Sequence, residues 1–87
     1  MKAIILFASV AVASGLLFVN VYTATASSIS IRIFDSKGAL ATAQNNQLLR
    51  GSNQLNINTA HLVPGTYSVL LYWNNGKDYK AIKLVKN

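Results

Sequence analysis

The dipeptide Asn75-Gly76, near the C-terminal end of the chain, constrains the fold more than any other feature. A type I′ hairpin needs positive φ at both central residues, and asparagine followed by glycine reaches it at least cost. With these two as the loop, Asn74 faces Lys77 and the register follows by counting outward. Trp73 meets Asp78, Val69 meets Ile82, Ser68 meets Lys83 and Tyr67 meets Leu84. Side chains alternate along a strand, so Tyr67, Val69, Leu71, Ile82 and Leu84 share the face expected to be buried. A helix competes for the closing segment, because Lys77, Lys80, Lys83 and Lys86 recur every third residue, as do Tyr79, Ile82 and Val85. The strand is preferred, since so short a helix is marginal and the hairpin register sets apolar residues opposite apolar ones.

Strand signals continue upstream. Pro64-Gly65 suits the two central positions of a type II turn that opens the Tyr67 strand. Ile29, Ile31 and Ile33 alternate with Ser28, Ser30 and Arg32, the two-residue period of a strand with one wet face. Asp35-Ser36-Lys37-Gly38 then turns the chain, Ala39 to Ala43 is a weaker strand, and Gln44 to Arg50 reads as loop. Gly51-Ser52-Asn53 reads as a turn before Gln54 to Asn58, where Leu55 and Ile57 again alternate with polar neighbours. The expected architecture is all-β, a small antiparallel β-sandwich (Ig-like) of about five short strands. Its core would hold Ile29, Ile31, Ile33, Leu55, Ile57, Leu62, Tyr67, Val69, Leu71, Ile82 and Leu84.

The N-terminal segment reads differently. Lys2 is followed by an apolar run from Ala3 to Val19, and Ala24-Thr25-Ala26 offers the small residues of an A-x-A cleavage site. This is a secretory signal pattern. A retained membrane anchor is the competing reading, but the run is near the lower limit for spanning and no cluster of positive charge follows it. The expectation is a cleaved signal peptide over residues 1–26 and a single domain over 27–87. A domain that short usually needs staples, and the chain has no Cys to form disulfides.

Residues suited to chemistry are scarce. Asp35 and Asp78 are the chain's two acids, His61 its one histidine. Paired-carboxylate hydrolysis, thiol nucleophiles and an ordinary zinc site all lack parts. No nucleophile elbow accompanies His61, which is expected at a turn beside Leu62. Neither catalytic residues, a metal nor a cofactor is expected. Eight Lys and Arg against two Asp give a formal net charge of +6. An anionic partner follows from that balance, although lysines on an outermost strand also deter edge-to-edge aggregation. Tyr72, Trp73 and Tyr79 could form a stacking platform. Export argues against nucleic acid as its ligand and leaves a carbohydrate or surface polymer as an alternative.

In order along the chain, IRIFDSKG, GSNQLNIN, LVPGTYSVLLYW and a terminal KLVKN resemble the type A C-terminal sorting domain of the bacterial type IX secretion system. The resemblance runs from about Ser28 to Asn87. It implies a sandwich that acts as an address. Such proteins cross the inner membrane by an N-terminal signal, pass through the periplasm and are recognised by secretion machinery at the outer membrane for delivery to the cell surface or beyond. A sortase-like protease commonly joins the cargo to anionic lipopolysaccharide, which makes that polymer an indirect partner. By match to the family motifs, Gly38, Gly51, Asn53, Leu62, Gly65 and Tyr67 are structural. Pro64, Asn75 and Gly76 are the further turn residues read above. Lys80, Lys83, Leu84, Val85 and Lys86 form the candidate recognition element. The chain itself is then expected to be exported product, regulator at the translocon, docking component or truncated gene product.

Overall fold

A computed structural model of the chain describes residues 5–13 and 15–87, with the backbone alone for 6–10 and 13. The start of the apolar run at Lys2 and Ala3 lies outside the described residues. Seven strands are present: β1 (Ile5–Ala13), β2 (Leu16–Thr23), β3 (Ser27–Phe34), β4 (Leu40–Leu48), β5 (Gly51–Asn58), β6 (Gly65–Trp73) and β7 (Asp78–Lys86). All pairings are antiparallel, in a three-stranded sheet of order β1-β2-β5 and a four-stranded sheet of order β4-β3-β6-β7. Among the described residues there is no helix. The result is the all-β sandwich expected from the strand periodicities.

The closing hairpin has the expected register. Trp73 pairs Asp78, Val69 pairs Ile82, Ser68 pairs Lys83 and Tyr67 pairs Leu84. Asn75 (φ 58°) and Gly76 (φ 81°) carry the positive φ of a type I′ turn, and the Lys77 N–H donates to the Asn74 carbonyl at 3.2 Å. Asn74 is left-handed as well (φ 53°), so ladder pairing stops at Trp73 and Asp78. The helix alternative for this segment is thereby displaced by β7.

Three expectations need correction. The strand count is seven rather than five, because residues 5–13 and 16–23, assigned to a leader on sequence grounds, form β1 and β2. Continuous apolar character hides a strand, since periodicity cannot separate it from a leader or a buried helix. Two segments read as irregular are strand: Gln44 to Leu48 is not loop, and Gly51-Ser52-Asn53 is not a turn but the start of β5, paired with Val21–Thr23 of β2. β4 runs on as an edge strand: Asn45 and Gln47 face water, Gln44 and Asn46 lie half-buried opposite Ile31 and Ile29 with Gln44 Nε2 donating to Asn46 Oδ1, and pairing with Ser27–Ile31 of β3 supplies the backbone hydrogen bonds. Pro64-Gly65 is not a type II turn: Gly65 begins β6 at φ 157°, near-extended. The turn lies upstream, where the Leu62 N–H donates to the Thr59 carbonyl at 3.1 Å.

The core lies between the sheets. Ile29, Ile31, Ile33, Leu55, Ile57, Leu62, Tyr67, Val69, Leu71 and Leu84 are buried, and Ile82 packs half-buried against them. Ile5, Leu17, Val19, Val21 and Leu48 join them. Leu17, Val19 and Val21 are each at most 1% exposed, and each such aliphatic side chain contributes roughly 1.5–3 kcal/mol through burial. β2 lies between β1 and β5 and pairs with all of Gly51–Asn58, so it completes one wall of the core.

Candidate functional site

β7 is one of the two end strands of the four-stranded sheet, and among the described residues one of its edges is unpaired. Its lysines sit three apart, whereas a strand alternates every residue, so they do not form one stripe. Lys83 lies opposite Ser68 on the outer face, beside the half-exposed Val85. Lys80, opposite Leu71, and Lys86, opposite Gly65, follow the parity of the core-facing Ile82 and Leu84. Lys80 is nonetheless exposed at the rim. Lys86 turns inward: its Nζ donates to the Thr59 carbonyl at 2.6 Å and the Ala60 carbonyl at 3.0 Å. Of the five terminal candidates, Leu84 is core, Lys86 is a tether, and Lys80, Lys83 and Val85 remain accessible.

The motif residues fix corners. Gly38 (φ 86°) closes the β3–β4 turn, where Asp35 Oδ1 accepts from the N–H groups of Lys37 and Ala39, both at 2.9 Å. Where the chain crosses from β4 to β5, Gly51 adopts φ 105°. Asn53 Oδ1 there accepts from the Leu49 N–H at 2.9 Å, while its Nδ2 donates to the Leu49 carbonyl at 2.8 Å and the Gly51 carbonyl at 3.2 Å. A carboxamide can imitate a backbone unit in this way, which explains glycine and asparagine at a spacing of two. Further on, Leu62 plugs the core and the buried Tyr67 donates its hydroxyl to the Val63 carbonyl, stapling the loop into β6. These residues shape the corners of the domain.

The outer face of the same sheet carries a groove of about 460 Å³ lined by Ser28, Ser30, Arg32, Tyr72, Trp73, Asn75 and Gly76. The Arg32 guanidinium carbon lies 5.8 Å from the Tyr72 ring centroid, within cation–π range. Tyr79 stands beside Tyr72 with centroids 6.2 Å apart. Ser30 Oγ donates to Asn45 Oδ1 at 2.6 Å along the same row. Of the three aromatics singled out in the sequence, Tyr72 and Tyr79 share this face, while Trp73 packs half-buried against the core. Ser28, Ser30 and Arg32 carried no functional signal in the sequence. Their place beside Tyr72 emerges only once β3 is known to pair with β6.

No acid lines the groove. Asp35 caps its turn, and Asp78 Oδ2 accepts from Asn74 Nδ2 at 2.6 Å. His61 is exposed in the loop before Leu62. Among the described residues no three of His, Cys, Asp or Glu come together as metal ligands.

Residues 13–87 match the family described as the secretion system C-terminal sorting domain. No curated protein matches the chain. The matched span includes β2, which the sequence motifs from Ser28 onward did not reach. With most of its length matched, the chain belongs to the C-terminal sorting domain family of type IX secretion.

Proposed function

We propose that this domain is an address read at the exposed edge of β7, with Lys83 and Val85 as the central contacts and Lys80 at the rim. Members of the family are sorting signals recognised by the type IX secretion machinery, and they imply export to the cell surface or the extracellular space. The family is non-catalytic. The observation that carries the finer reading is the pairing of a free strand edge with an exposed cation and an exposed aliphatic side chain on its outer face. An incoming strand could hydrogen-bond to that edge while an acidic group met Lys83. Lys86 acts differently, holding the terminus against the Thr59–Ala60 turn.

The route belongs to the same proposal. Residues 1–26 serve as the export leader, removed after Ala26, and the product passes through the periplasm before reaching the surface. Support comes from the signal-type pattern and from the exposure of Ala24 and Ala26 in the connector between β2 and β3. Lipopolysaccharide enters indirectly, through attachment of cargo.

The test uses a reporter fused ahead of residue 13 in a type IX-competent bacterium. K83E/V85E should reduce surface delivery about tenfold, because charge reversal at a contact opposes docking. Lys86→Met should leave delivery close to wild type provided the domain is folded. Equal delivery by K83E/V85E and the parent would refute reading at β7.

A second reading is favoured by the groove on the outer face. Tyr72 and Tyr79 offer ring faces, Arg32 a cation, and Ser28 and Ser30 hydroxyls. Those groups suit a polymer of sugars. Binding of a surface polysaccharide lost in Y72A/Y79A, with delivery intact, would establish it as a separate activity.

A further inference from the structure

Strand pairing lays out the outer face of the four-stranded sheet in rows. Asn45, Ser30, Tyr72 and Tyr79 make one row across all four strands, and Ala43, Arg32, Leu70 and Ala81 make the next. Beyond them stand Phe34, Ser68 and Lys83. None of these rows holds a carboxylate, because Asp35 caps the β3–β4 turn and Asp78, opposite Trp73, follows the parity of the core face. Arg32 and Lys83, both exposed, therefore set the charge of this face. The other sheet differs: β1, β2 and β5 contain no Lys, Arg, Asp or Glu.

Arg32 is the better placed of the two cations. It pairs with Leu70 in the ladder but leans into the neighbouring row, its guanidinium carbon 5.8 Å from the Tyr72 ring centroid. Held there, a planar guanidinium can present a fork of two N–H groups to one oxyanion. Tyr79 extends the row past the rim of the groove, with its ring 65% exposed, 6.2 Å from that of Tyr72 and tilted 39° to it. Two rings so tilted make no parallel slot for a flat nucleobase, whereas a sugar lays its C–H face on one ring alone. Its hydroxyls need donors and acceptors together. Ser30 Oγ donates to Asn45 Oδ1 at 2.6 Å, which leaves the Asn45 amide hydrogens and the Ser30 lone pairs for them, with the Ser28 hydroxyl close by.

We propose that this groove takes an acidic polysaccharide, a chain of sugars bearing carboxylate or sulfate groups; the proposal rests on the sugar-polymer reading of the groove and narrows its ligand. The chain lies across the strands from Tyr79 to Asn45, with an anionic group over Arg32. Three inter-strand spacings make that row about 14 Å long, enough for more than one sugar ring, so a polymer fits it better than a single sugar. Lys83 lies two strands and one row from Arg32, about 12 Å at the backbone, and adds only longer-range attraction.

The experiment measures dissociation constants of the folded full chain on immobilised polymers in about 0.15 M salt. Polygalacturonate is compared with its full methyl ester and dextran sulfate with dextran, so that each acidic polymer has a neutral twin; single-stranded oligothymidylate is the third arm. At least one acidic polymer should bind about tenfold tighter than its twin, and Arg32→Gln should remove that preference. Arg32→Lys, which keeps the charge without the fork, should restore only part of it. Tyr79→Ala should weaken binding about fivefold, and Lys37→Gln, which removes an equal charge at the β3–β4 turn, less than about twofold. Unchanged urea midpoints show that each variant is folded. Equal binding of acidic and neutral twins, lost in Tyr79→Ala, overturns the acidic ligand and leaves the broader sugar reading standing. Failure of all four polymers to bind, or tighter binding of oligothymidylate, overturns both. Equal weakening by Arg32→Gln and Lys37→Gln reduces the attraction to net charge and overturns the site at Arg32.

Discussion

The two hairpins that open and close the chain are built alike and read very differently. β6–β7 announces itself through Asn75-Gly76 and through alternation of apolar with polar residues, because one of its faces is wet. β1–β2 has no such alternation. Leu16 and Phe18 are half-buried on the face away from the core, so up to Val19 the apolar run continues through both faces and the two-residue period disappears. A strand is legible when water marks one side of it. Where both sides are apolar, the same letters serve a leader, a membrane span or a buried strand, and tertiary context decides.

The comparison breaks most sharply at Val19. If β2 is integral to the full chain, Val19→Asp places an unpaired charge in the core and should cost more than about 4 kcal/mol, enough to abolish cooperative unfolding. Urea titration followed by tryptophan fluorescence checks this. Unchanged stability would detach the first hairpin from the fold. At the closing hairpin the expected loss is smaller. Gly76→Val forces a β-branched residue to φ 81° and should cost about 1–2 kcal/mol, read as a lower urea midpoint at constant slope.

Asn53→Ala removes three hydrogen bonds at the corner between the sheets. It should cost about 1–2 kcal/mol, with exchange at the Leu49 amide accelerated. The smallest effects separate the lysines of β7. Lys86→Met loses two charge-assisted bonds to carbonyls and should cost about 1 kcal/mol, whereas Lys83→Met should stay within about 0.5 kcal/mol. Equal costs at the two positions would mean that the tether contributes nothing.

Much of the sandwich was present in local pattern: the isoleucine alternation of β3, the Leu55-Ile57 pair of β5 and the whole β6–β7 register. The β4 extension was hidden for the opposite reason to β2. Gln44 to Gln47 is polar enough to read as loop, yet an edge strand needs one buried anchor at most, and Leu48 supplies it. The roles of Asn53 and Tyr67 are visible through motif alone and leave no mark in the hydrophobic pattern, since a carboxamide or hydroxyl reaching backbone two to four residues away has no period. The lysine series misleads in a simple way. A spacing of three makes a stripe on a helix and a scatter on a strand, so the structure splits Lys83 from Lys86.

As a member of its family, the domain is a sorting signal for type IX secretion. Its most direct measurement is surface exposure of a fluorescent reporter joined ahead of residues 13–87 behind an independent inner-membrane leader. Paired strains, with and without the type IX translocon, should be scored by protease shaving of whole cells. Shaving is expected in the competent strain, with retention inside the envelope of the deficient one. Equal shaving in both strains, or retention in both, would contradict it.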